Sequence, residues 1–100
     1  MKIDAQGETL RISEVSELDA AHAVDFREQA KKALTDGHRN VEVDLSKTSF
    51  IDSCGLGALV SLHKVALSRN GRVRLLHPQP QVQQLLDLTR MPLLFEIVKP

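Results

Sequence analysis

The chain has 100 residues, 42% of them hydrophobic, enough for one buried core and hardly for two, so one domain spanning residues 1–100 is expected. Thirteen basic residues balance thirteen acidic ones, which leaves no net field to gather nucleic acid or an anionic membrane. With no Trp, no Tyr and three Phe, the stacking platforms of single-strand binders are missing too, and direct contact with nucleic acid is not expected.

A single cysteine, Cys54, rules out an intramolecular disulfide, and the opening "MKIDAQGETL" has neither the apolar core nor the cleavage pattern of a secretory signal. The apolar stretches fall well short of the roughly 20 residues that cross a bilayer. A cytoplasmic protein without membrane insertion is the expectation.

In chain order, "KIDAQGETLRISEV" sets Ile3, Leu10, Ile12 and Val15 around a Gly7-Glu8 turn signal, which predicts a hairpin of two short strands. The period then changes. Phe26, Ala30, Ala33 and Leu34 recur at helical spacing, with Asp19 as N-cap, Gly37 just past the end, and Arg27, Glu28, Lys31 and Lys32 on the solvated face. "VEVDL" alternates as a strand and is followed by a bend at residues 46–49. "LGALVSLHKVALSRNG" carries more apolar residues than one stripe needs, which predicts a largely buried helix stopped at Asn70-Gly71. "RVRLL" alternates as a strand, "PQPQVQQLLDLTR" is a helix opened by Pro80, and "LLFEIV" is a last strand. The alternation implies an α/β fold: a mixed, mostly parallel β-sheet with helices packed against it through right-handed crossovers.

In such sheets ligands and chemistry gather in the loops leaving the carboxyl ends of strands, and "FIDSCGLGALVSLHK" is one of those loops. Ser53 sits where a helix begins, as an N-cap whose hydroxyl accepts a backbone N–H two or three residues on. A serine there, beside Gly55 and Gly57, is also open to another protein's active site. A phosphoryl group on it would meet the positive end of the helix, worth about 0.3–2 kcal/mol, and would add about −1.5 to −2 charge beside Asp52, enough to switch an interface.

Catalysis by this chain itself is not expected. "DSCGLG" lacks the first glycine of G-x-S-x-G, and the four histidines, His22, His38, His63 and His77, are scattered, with His63 on the interior face of its helix. They show no metal-ligand spacing either, so no metal is expected. "GLGALV" completes neither of the phosphate-binding glycine motifs, which leaves nucleotide binding weakly supported, and no cofactor is assigned. Cys54 occupies the first helical position, as a small residue at a tight turn or as a thiol near the helix dipole. Asp19 lies on what topology allows to be the same end of the sheet as Ser53.

The run "VEVDLSKTSFIDSCGLGALVSLHKVALSRNGRVRLL", with D-L-S, a short bend and D-S-x-G-L-G opening a helix, resembles the STAS domain, the sulfate transporter and anti-sigma factor antagonist fold. The likeness extends from "SELD" to "LLDLTRMPLLFEIV". It implies that Ser53 matches the serine of anti-sigma factor antagonists that a partner anti-sigma factor, itself an ATP-dependent serine kinase, phosphorylates. In that family the unphosphorylated antagonist binds the anti-sigma factor and frees a sigma factor, and a PP2C-type phosphatase restores the serine. Asp19 would help engage the kinase, with Asp52, Cys54, Gly55, Leu56 and Gly57 forming the binding surface around the phosphosite. Two departures stand out: Cys54 replaces a second Ser or Thr, and the chain ends at Pro100 without the further helix that many antagonists carry. The resemblance therefore also admits a small STAS subunit that binds the ATPase of a phospholipid-trafficking ABC transporter, or a stressosome-like assembly.

Overall fold

A computed structural model describes residues 1–100. Strands β1 (Lys2–Gln6) and β2 (Thr9–Ser13) form the expected antiparallel hairpin, turning at Gly7. Then follow β3 (Glu17–Leu18), α1 (Ala23–Ala33), β4 (Asn40–Asp44), β5 (Phe50–Ile51), α2 (Ser53–Ser68), β6 (Val73–Leu76), α3 (Pro80–Leu88), a 3₁₀ turn at Met91–Leu93, and β7 (Glu96–Val98). The main sheet has the order β1-β2-β4-β6-β7, antiparallel at β1 and parallel elsewhere, which is the mixed, mostly parallel sheet expected.

Side chains alternate across a strand, so each strand sends one set to each face of the sheet. Ile12, Val41, Val43, Val73 and Leu75 point to one face and join Phe26 and Ala30 of α1, Leu59 and Leu62 of α2, and Val82 and Leu86 of α3 in a single core. The other face carries a ladder of opposite charges in register, Arg11, Glu42, Arg74 and Glu96. Its closest N···O distances are 3.8, 2.9 and 2.8 Å in that order. All three helices thus cover one face, and the other meets water.

Three element boundaries differ from expectation. Asp19 does not cap α1: its carbonyl accepts from His22 and Ala23 and its carboxylate accepts from the His22 N–H, which makes a separate turn before the helix starts. The N-cap is His22, without a side-chain cap, and the helix ends at Leu34, where the chain becomes extended, three residues before Gly37. The second helix buries one broad face but not its whole girth, since Leu67 is 61% exposed and Val60 and Val65 are half-buried. The "LL" of "LLFEIV" belongs to the 3₁₀ turn and its exit, leaving β7 to start at Glu96. The two-residue strands β3 and β5, which pair in parallel as a separate sheet, have no counterpart in the sequence reading.

Candidate functional site

That small sheet assembles the site. Glu17 faces Phe50 and Leu18 faces Ile51, so the chain segments leaving β3 and β5 emerge side by side. The Asp52 N–H continues the pairing by donating to the Leu18 carbonyl at 3.2 Å. Asp19 and its turn follow β3, and Ser53 and α2 follow β5, so the two regions that the sequence placed 34 positions apart share one surface.

The cap of α2 is Asp52, not Ser53. Asp52 is in the extended conformation usual for an N-cap, and its Oδ1 accepts from the N–H groups of Cys54 and Gly55 at 2.9 and 3.1 Å. Its Oδ2 accepts from the Ala20 N–H at 3.0 Å, so one carboxylate clamps the helix start to the turn that carries Asp19. A carboxylate presents two acceptor oxygens and a serine only one, and this site uses both. Ser53 is instead the first helical residue and is exposed, with Cys54, also exposed, second rather than first. Two of the amides expected to greet a phosphoryl group, those of Cys54 and Gly55, are therefore already taken.

The glycines part company. A Cβ on Gly55 would lie 1.9 Å from the Leu18 carbonyl oxygen, so only glycine lets α2 approach β3 this closely. Gly57 is exposed and has nothing within 4 Å of the corresponding position, which leaves it as the glycine that keeps the surface bare. Gly55 and Leu56, expected around the serine at the surface, are turned inward, with Leu56 in the core. What stands outward with Ser53 is Cys54, Gly57 and the half-buried Asp52 and Asp19.

Asp19 Oδ1 lies 2.6 Å from His22 Nδ1. This hydrogen bond and the attraction between the charges hold the Asp19 carboxyl below its ordinary value and the His22 imidazole above its own. A cleft of about 350 Å³ opens beside the pair, with Glu14, Glu17 and Asp25 on its walls, which makes this side of the site acidic. The other histidines stay apart: His38 faces Thr35, and His63 meets the Phe95 ring edge-on at 5.5 Å. Phe50, half-exposed at the start of β5, and Glu17, its partner in register, went unnoticed in the sequence, because a two-residue strand has no period to read.

The family model of the STAS domain matches residues 1–99. A STAS-domain containing protein of Pseudomonas aeruginosa is 30% identical over 93 residues, which cover 93% of this chain and 91% of that one. Among solved structures, a proposed anti-sigma factor antagonist of Thermotoga maritima superposes with a TM-score of 0.91 at 23% identity, over 99% of this chain and 86% of its own. The anti-sigma factor antagonist SpoIIAA in its unphosphorylated form gives 0.83 at 21% identity, over 98% and 87%. SpoIIAA of Bacillus in the phosphorylated form gives 0.75 at 20%, over 98% and 90%. These structural likenesses bear on the fold, and the sequence match covers nearly every residue: the chain belongs to the STAS domain family.

Proposed function

We propose that this chain is a phosphorylation-regulated interaction switch and not an enzyme. Its unphosphorylated form binds an anti-sigma factor serine kinase and so frees a sigma factor, phosphorylation of Ser53 blocks that binding, and a PP2C-type phosphatase reverses it. The observation that carries the reading is Ser53 itself: exposed at the first position of a 16-residue helix, beside a carboxylate that already occupies the neighbouring amides. A phosphoryl group there adds about −1.5 to −2 charge next to Asp52 and finds no vacant amide at Cys54 or Gly55 to absorb it. The charge stays at the surface, where a partner must tolerate it or leave. The likeness to SpoIIAA, solved in both phosphorylation states, supports the same reading. The partners imply a cytoplasmic location, and no helix is long and apolar enough to cross a membrane.

The test is to incubate the protein with its cognate anti-sigma factor serine kinase and ATP, and to weigh the intact chain. Wild type should gain one phosphate and Ser53→Ala none; equal gain by both, or gain by neither, rejects the switch. Ser53→Asp should weaken binding to the kinase. Equal affinity of the two forms would point instead to a constitutive subunit, such as one that binds a transporter ATPase.

A further inference from the structure

Phe50 is 51% exposed, whereas the other two phenylalanines, Phe26 and Phe95, are each 3% exposed. As the chain has no Trp or Tyr, this is the one aromatic side chain the molecule presents to a partner. Its exposure is built in. Pairing of β5 with β3 turns Ile51 into the core at 5% exposure, and the alternation of a strand then directs Phe50 outward. Phe50 opens the strand that delivers Ser53 and stands only three residues before it, within about 10 Å along the chain, so a protein whose active site reaches the serine is placed to cover this ring as well.

The surroundings of the ring are acidic. Glu17 is its partner in register, and Glu14, Glu17 and Asp25 wall the adjoining cleft. Lys47 pairs with Glu14 at 3.5 Å, and the His22 imidazole hydrogen-bonds with Asp19 at 2.6 Å. Large aromatic side chains that fill a partner's pocket dominate binding energy, while charges at the rim set on-rate and partner choice.

We infer that Phe50 is the apolar anchor of the interface that reads Ser53, seated in an apolar pocket of the kinase whose rim carries Lys or Arg opposite Glu17. The inference rests on the proposed switch and names what its partner must offer. It also separates two tasks on one loop: Ser53 carries the regulation, and Phe50 carries the affinity.

The experiment measures kinase affinity and the steady-state kinetics of Ser53 phosphorylation for wild type, Phe50→Ala, Phe50→Leu, Glu17→Lys and, as a control, Leu88→Ala. Leu88 is 75% exposed on α3 and lies outside this strand pair. Phe50→Ala should weaken binding by about 30-fold, as for a hot-spot residue, and raise KM with kcat little changed, while melting as wild type does. Phe50→Leu should recover part of the affinity, Leu88→Ala should bind like wild type, and Glu17→Lys should slow association. Wild-type affinity and KM in Phe50→Ala would remove the anchor and leave the switch standing. An equal loss in Leu88→Ala would also overturn it, and tighter binding by Glu17→Lys would overturn the basic rim. A wild-type chain that neither binds the kinase nor is phosphorylated would take both readings down together.

Discussion

Gly55 and Gly57 are two positions apart in one motif and do unlike work. A methyl on Gly55 meets the Leu18 backbone at 1.9 Å, where neither side can yield without separating α2 from β3. Gly55→Ala should therefore destabilise the fold by about 1–3 kcal/mol, read as a lower urea midpoint. A methyl on Gly57 meets nothing and lies in an exposed helical turn, so Gly57→Ala should stabilise by about 0.5–1 kcal/mol. If a kinase approaches here, the same methyl should weaken its binding, so that stability and affinity move in opposite directions. The sequence showed two small residues beside a serine and could not tell them apart, because the obstacle facing Gly55 is a carbonyl 37 residues earlier in the chain.

Asp19 and His22 add a pH dependence at the same scale. The hydrogen bond to Asp19 raises His22 above 6.5, so its stabilising contribution is full below 6.5 and is lost as pH rises through the higher folded value. Asp19 is lowered from 3.8, so its share is present above 3.8 and is lost as pH falls through the lower folded value. The pair is thus intact between those limits. An NMR titration of the His22 imidazole should show a midpoint above 6.5 that drops in Asp19→Asn, and an unchanged midpoint would deny the pair its role.

At the scale of elements, the site depends on two strands of two residues each, too short to stand alone. Thr48 helps to hold them. It is fully buried, its hydroxyl donates to the Val15 carbonyl, and next to it the Ser49 N–H donates to the Ser16 carbonyl at 2.9 Å. The bend between β4 and β5 is thereby fastened to the segment leading into β3. Thr48→Val keeps the shape and removes the donor, so it should cost about 1–3 kcal/mol and speed hydrogen exchange at the Asp52 amide, which closes the β3–β5 pairing. In the sequence Thr48 reads as one more polar residue in a loop. Period and turn residues located the hairpin, β4, α2, β6 and α3, each of which repeats its pattern over several residues. The same rules set the start of α1 too early, because Asp19 satisfies its acceptor role in a separate turn.

Across the whole molecule, a strict division of faces determines what is left for a partner. The charge ladder from Arg11 to Glu96 satisfies its own members on the helix-free face of the sheet, and the three helices close the other. Ser53 follows the end of β5, while Phe50 and the acidic cleft lie at the start of the β3–β5 pair, which forms a sheet separate from the main one. The sequence by itself determined the α/β class, most of the helices and strands, and the segment around Ser53, since periodicity and turn chemistry act between residues a few positions apart. Only the tertiary structure decided that Asp52 is the cap and reaches Ala20 across 32 residues, that Gly55 is sealed against Leu18, and that Phe50 faces outward. Each of those depends on β3 pairing with β5, a contact whose closure the whole core stabilises and for which no local pattern in either strand is long enough to speak. The motif around Ser53 thus located the loop, and the packing decided which of its residues turn inward and which face out.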